Sequence, residues 1–77
     1  MSKTLKDLRV GEEGEVIGYE RVDRSYRKKL LSMGLTPGAR FRVTRVAPMG
    51  DPVEILVRGY RLSVRKDEAG ALKVERA

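Results

Sequence analysis

The side chains of this sequence that could do chemistry are carboxylates, lysines and hydroxyls, because its 77 residues include no cysteine and no histidine. This composition excludes disulfides, thiolate nucleophiles, zinc-finger ligand sets and the side chain most used for proton transfer near neutral pH. No segment places a base beside a serine or lysine nucleophile in a recognisable motif. We therefore expect a protein that is not an enzyme, with no catalytic site and no cofactor.

The formal net charge is +6, and the positive excess lies in the middle of the chain. Residues 21–45 contain a single acidic residue, Asp23, and eight basic residues: Arg21, Arg24, Arg27, Lys28, Lys29, Arg40, Arg42 and Arg45. Such a patch attracts nucleic acid, anionic lipid or an acidic protein surface through the same long-range field. It can equally be a solvated face that keeps a small domain soluble.

The N-terminal residues have no export signal, because charges interrupt the apolar residues before a run of signal-peptide length can form. No stretch approaches the roughly 20 apolar residues that a membrane-spanning helix needs. We therefore expect a soluble, cytoplasmic protein.

One amphipathic helix is predicted over residues 24–33. Tyr26, Leu30 and Met33 recur at helical spacing, and Asp23 offers a carboxylate to the free N–H groups of the helix start. Three residues typical of a helix end follow: Gly34 for a left-handed position, Leu35 for the accompanying apolar contact, and Pro37.

Five short strands are predicted from alternating apolar residues. The first covers residues 15–20, with Val16 and Ile17 facing the core. Two further strands form a hairpin, and a last short strand follows a single helical turn at residues 66–70. The core positions of these three strands are Val53, Ile55, Val57, Tyr60, Leu62, Val64, Leu72 and Val74.

The second strand contains an irregularity. Phe41 and Val43 alternate with polar neighbours, but the alternation then slips by one residue. A bulge near Thr44 or Arg45 would return Val46 to the core.

These elements indicate an all-β fold in one domain, residues 1–77. Five strands with short connections are too few for two packed sheets, and they favour a small closed or partly open barrel with the helix over one seam.

Three segments in this order resemble the FeoA family: YRKKLLSMGLTPG at residues 26–38, VAPMGDP at residues 46–52 and RLSVRK at residues 61–66. The resemblance covers nearly the whole domain. It implies a Src-homology-3-like (SH3-like) barrel and a cytoplasmic accessory role in bacterial ferrous-iron uptake. Members of the family are partners of FeoB, a membrane transporter with a GTP-binding domain, so the resemblance implies a place at the inner face of the membrane and no small-molecule substrate.

The predicted helix carries a second apolar residue, Leu31, which lies about 100° from Leu30 on the helical wheel and beside Arg27. Two interpretations are open. Both leucines can belong to the core, or one can stay accessible and seat an apolar side chain of a partner, with Arg27 and Lys28 as a polar rim.

The loop at residues 48–52 is proline-bounded and should be stiff. It can be an ordinary strand connection, or it can display Met49 as a partner contact, with Asp51 more often a turn acceptor than a ligand. The candidate protein-binding residues are Arg27, Lys28, Leu30, Leu31, Met49 and Asp51.

An iron-linked family raises the question of iron ligands. The available donors are carboxylates: Glu12, Glu13, Glu15, Asp51 and Glu54. Ferrous iron commonly takes imidazole or thiolate as well, so we expect no specific Fe(II) site.

Two other functions remain open. A small basic barrel can bind nucleic acid, but base-stacking barrels use exposed aromatic residues, and the few here are mostly assigned to the core. An inserted arginine could also regulate GTP hydrolysis. We expect any nucleic-acid binding to be weak.

Overall fold

The computed structural model describes residues 3–20 and 24–77. Its strands are β1 (Lys3–Thr4), β2 (Glu13–Tyr19), β3 (Arg40–Val46), β4 (Val53–Val57), β5 (Tyr60–Val64) and β6 (Leu72–Arg76). Its helices are α1 (Arg24–Ser32) and α2 (Lys66–Ala71), and short 3-10 turns lie at Leu5–Asp7 and Pro48–Gly50. The predicted N-cap, Asp23, lies outside the described residues.

The strands form one antiparallel sheet in the order β1-β6-β2-β3-β4-β5. The sheet packs around one apolar core within 28 × 27 × 25 Å, and the predicted all-β class is confirmed. The predicted strand count of five was wrong, because Lys3 and Thr4 also pair with β6. A strand of two residues is too short to show an alternation in sequence.

Strand β2 corrects one predicted core position. Val16 is buried, but the Ile17 side chain is 44% exposed. The pairing with β6 shifts between Val16 and Gly18, so Ile17 is the extra residue of a bulge and points outward.

Strand β3 has the predicted bulge, since its pairing with β4 skips Thr44. Val46 pairs with buried Val53 and so faces the core side of the sheet. It nevertheless remains 37% exposed, because β3 ends there, and its predicted burial was wrong.

The β4–β5 hairpin is confirmed. Val53, Ile55 and Val57 are buried, and the two-residue turn of Arg58 and Gly59 has positive φ at both positions, as a type I′ turn requires. At the far end of the hairpin Val64 is buried. Tyr60, predicted as a core residue, is 44% exposed, because its hydroxyl reaches out to donate to the carbonyl of Met33 after α1.

Helix α1 ends as the sequence predicts. The N–H of Leu35 donates to the carbonyl of Leu30 at 3.0 Å, and the N–H of Gly34 donates to the carbonyl of Leu31 at 3.0 Å, with Gly34 at φ 88°. This pattern is a Schellman motif. It turns the chain so that Leu35 is buried beside Leu30, while Tyr26 and Met33 pack half-buried against the core.

Helix α2 is longer than the single turn predicted, so the barrel has two short helices rather than one. Ala69 and Ala71 are buried, and this apolar face supports six helical residues despite Gly70. Within the described part of the chain, neither helix has the length and apolarity to cross a membrane.

Candidate protein-binding surface

A shallow, open groove of about 340 Å³ lies along α1 and is lined by Arg24, Arg27, Lys28 and Leu31. These residues follow the spacing i, i+3, i+4 and i+7, which places them on one stripe of the helix. Leu31 is 40% exposed at the C-terminal end of this stripe. We call this surface the α1 groove.

The structure resolves the question of the two leucines. Leu30 is fully buried in the core, whereas Leu31 is the accessible one. Leu30 is therefore removed from the candidate contact residues, because no partner can reach its side chain. Leu31, Arg27 and Lys28 are brought together as the sequence predicts, and Arg24 is added to them.

Arg27 is held in place by Tyr19 at the end of β2. Its guanidinium lies 5.8 Å from the centre of the Tyr19 ring, a cation–π distance. The Tyr19 hydroxyl donates to the carbonyl of Leu35 at 2.7 Å, which fixes the ring. Burial raises the pKa of Tyr19, and the positive charge of Arg27 opposes that shift. The tyrosine thus stays a neutral platform for the arginine.

Met49 stands at the tip of the 48–52 loop with its side chain 94% exposed. Its backbone has φ 68°, a left-handed conformation that is unfavourable for a residue with a side chain. The N–H of Gly50 donates to the carbonyl of Ala47 at 2.9 Å. The N–H of Ala47 donates to the carbonyl of Pro52 at 3.0 Å. These bonds hold the loop closed and the methionine outward.

Asp51 turns away from the loop tip. Its Oδ1 atom accepts a hydrogen bond from the N–H of Lys66, the first residue of α2, at 3.1 Å. Asp51 is thus an internal acceptor in this structure, and its place among the contact residues stays a prediction.

Sequence reasoning missed Glu68, which connects the two helices. It is 3% exposed, forms an ion pair with Lys29 of α1, and accepts from the N–H of Arg65 at 3.0 Å. A local signal was present: Glu68 stands three residues after Arg65, where a glutamate side chain can accept from the N–H of the N-cap residue, and alanines follow it nearby. The 48–52 loop is therefore joined to α2 through Asp51, and α2 to α1 through Glu68.

The remaining candidate carboxylates all have internal partners. Glu12 pairs with Arg76 at 3.0 Å, Glu13 with Arg42 at 3.4 Å, and Glu15 with Arg40 at 3.5 Å. Glu54 accepts from the Thr44 hydroxyl at 3.0 Å. Over residues 3–20 and 24–77, no group of three or more acidic side chains is placed to hold a metal ion.

A second cavity of about 280 Å³ lies at the end of the sheet near the β4–β5 turn. Its lining includes Arg40, Arg42 and Arg58 beside Leu56. Two of these arginines have the glutamate partners given above, and Arg58 donates to the Thr36 hydroxyl at 3.2 Å. The charges of Arg40 and Arg42 are therefore compensated within the fold, whereas Arg58 bonds to a neutral hydroxyl.

The architecture also occurs in larger proteins. A manganese-dependent transcriptional repressor in complex with manganese matches 99% of this chain with a TM-score of 0.90, over 37% of the repressor. The identity is 19%, so this likeness shows the fold alone.

Other relatives are similar to this chain in sequence as well. A crystal structure of an iron uptake regulatory protein, FeoA, is 36% identical, with a TM-score of 0.84, and the match covers 100% of this chain and 99% of that one. An Fe(2+) transport protein A/Fe(2+) transporter FeoB fusion protein of Porphyromonas gingivalis (strain ATCC BAA-308 / W83) is 31% identical over 92% of this chain, which spans 8% of the fusion protein. The model of the FeoA domain family matches residues 3–76, and the chain belongs to this family.

Proposed function

We propose that this chain is a non-catalytic, cytoplasmic accessory protein of ferrous-iron uptake that binds and modulates the cytoplasmic GTP-binding domain of a FeoB-like transporter. The observation that carries the proposal is the fusion relative, in which a domain similar to this chain and a FeoB transporter form one polypeptide. Fusion holds two modules at a high effective concentration, an arrangement that suits modules which work together. The absence of cysteine and histidine supports a binding role rather than catalysis.

The contact surface in this proposal consists of the α1 groove and Met49. Leu31 and Met49 are the accessible apolar anchors, and Arg27 and Lys28 form a polar rim around the leucine. Interfaces commonly draw most of their binding energy from a few such anchors, while rim charges mainly raise the association rate. Iron stays a substrate of the transporter here and is not a ligand of this chain.

Affinity measurements test the proposal. The isolated cytoplasmic domain of the FeoB-like transporter from the same organism is titrated with the native chain, Leu31→Ala and Met49→Ala. Val10→Ala is the matched control, because Val10 is apolar, 58% exposed and outside both parts of the surface. We expect each anchor variant to weaken binding by about tenfold, as for interface anchors generally, with the control unchanged.

The regulatory part of the proposal has its own measurement. The GTP hydrolysis rate of the same domain is followed with and without a saturating amount of this chain. We expect the rate to change in the presence of the native chain and to change less with Leu31→Ala. Tight binding with an unaltered rate would leave partnership in place and contradict modulation of hydrolysis.

A further inference from the structure

The α1 groove combines one accessible apolar residue with three cations that have no acidic partner in the described part of the chain. Lys29, the next residue along α1, pairs with Glu68, and three of the sheet arginines, Arg40, Arg42 and Arg76, pair with glutamates. No such ion pair joins Arg24, Arg27 or Lys28 to a carboxylate of residues 3–20 or 24–77. The positive charge of the groove is thus left uncompensated by those residues.

This arrangement does not favour the isolated helix. Arg27 and Lys28 stand three and four positions after Arg24, and like charges at the spacings i, i+3 and i, i+4 destabilise a helix. Within α1 the first turn has no acidic residue to offset the repulsion. A bound partner with negative charge would remove this cost.

The α1 groove is also partly preorganised for binding, through the contact of Arg27 with Tyr19. The cation–π contact of Arg27 with Tyr19 favours one position of the guanidinium, and a planar guanidinium can still offer its N–H donors to a carboxylate. Leu31 lies one turn further along, so an apolar side chain packed on it would lie beside the cations, at the C-terminal end of the groove. Arg27 therefore loses less conformational freedom when a ligand binds.

We propose that the α1 groove binds an acidic protein segment in which an apolar side chain packs on Leu31 and neighbouring Asp or Glu residues pair with Arg24, Arg27 and Lys28. This inference rests on the proposed function for the identity of the protein that carries the segment. It adds the chemistry of the segment and assigns Arg24 to the contact.

The chemistry of the groove favours protein over the other anionic partners. Its lining contains no aromatic residue on which a base could stack, as single-stranded nucleic acid usually requires. A membrane surface would be bound by a broad apolar helix face, whereas Leu31 is the single apolar residue of the groove lining.

The test uses charge reversal in the full chain. Arg24→Glu, Lys28→Glu and Leu31→Ala are compared with Arg61→Glu, which makes the same change in net charge at an exposed position of β5 outside the groove. We expect Arg24→Glu and Lys28→Glu each to weaken binding to the transporter's cytoplasmic domain by about tenfold at low salt, with a smaller loss at high salt. Leu31→Ala should weaken binding at every salt concentration, and Arg61→Glu should change affinity by less than about threefold.

Hydrogen exchange on the transporter domain then locates the bound segment. We expect protection of a segment with an apolar residue next to Asp or Glu residues, and replacement of one of those acids by lysine should restore the affinity of the Lys28→Glu variant. Protection confined to a segment without acidic residues would overturn the inference.

The outcomes separate the two proposals. If the native chain does not bind the domain, the proposed function is wrong and the inference falls with it. If the native chain binds and the groove variants bind like Arg61→Glu, only the inference is overturned. If the groove variants instead lose binding to phosphatidylserine vesicles or to a single-stranded oligonucleotide while still binding the domain normally, the chosen class of partner is wrong.

Discussion

The Oδ1 atom of Asp51 caps a helix that lies 15 residues further along the chain, by accepting the N–H of Lys66 at 3.1 Å. The N-cap residue of α2 is Arg65, whose side chain has no acceptor atom for this purpose. A residue of the 48–52 loop therefore accepts from a free N–H of the helix start, as a serine or aspartate at the N-cap position usually does. The same hydrogen bond holds the loop that displays Met49 against α2.

Removal of this cap should lower stability. We expect Asp51→Ala to reduce the free energy of unfolding by about 1 kcal/mol, the usual cost of losing a helix N-cap. Asp51→Asn should cost less, because its amide oxygen can still accept the hydrogen bond. Denaturant unfolding of both variants measures the difference. An alanine variant as stable as the native chain would show that the bond contributes nothing.

The backbone of Met49 leads to a second prediction. Glycine adopts positive φ without steric cost, so Met49→Gly should leave the free energy of unfolding unchanged or raise it by up to about 1 kcal/mol. Binding to the transporter domain should nevertheless weaken, because the exposed side chain is gone. Unfolding and affinity are measured on the same samples, with Met49→Asn as a control that also tolerates this conformation. A gain in stability with unchanged affinity would mean that Met49 is not a contact.

The main helix and the hairpin could be predicted because their signals are local. The Gly34 and Leu35 pair that ends α1 and the alternation from Val53 to Val64 each lie within a few residues. The bulge at Thr44 was also predictable, because the apolar and polar alternation of the strand slips by one residue there. Local pattern and tertiary structure agree at these positions.

The features that were predicted wrongly or missed have a common physical cause: each depends on pairing between residues far apart in the sequence. Ile17 is exposed because its register with β6 shifts, and β1 exists because Lys3 meets Val74 at the other end of the chain. The exposed leucine of α1 could not be chosen from the helical wheel, because the wheel does not say where the barrel lies. Glu68 and Asp51 act through partners on other elements, so no local pattern named those partners.

The two members of the ion pair between Lys29 and Glu68 should contribute unequally to the free energy of unfolding. Glu68 is almost fully buried, while the Lys29 side chain is 59% exposed. Glu68→Ala leaves the N–H of Arg65 without its acceptor and should destabilise the chain by about 1–3 kcal/mol. Lys29→Ala removes the exposed member of the pair and should cost less than about 1 kcal/mol. Thermal unfolding distinguishes the two variants, and equal losses would contradict the assigned roles.

The two adjacent leucines of α1 provide the sharpest test of which surface is available. Leu30→Ala removes a fully buried side chain and should lower the free energy of unfolding by about 2–5 kcal/mol, because the core cannot fill the cavity completely. Leu31→Ala truncates a side chain that is 40% exposed, so the loss should stay below about 1 kcal/mol. The same chemical change, one residue apart, thus separates packing from binding: a folded Leu31→Ala variant should melt close to the native temperature and bind the transporter domain about tenfold more weakly. If Leu31→Ala unfolds as readily as Leu30→Ala, both leucines act as core residues and the α1 groove is not an accessible surface.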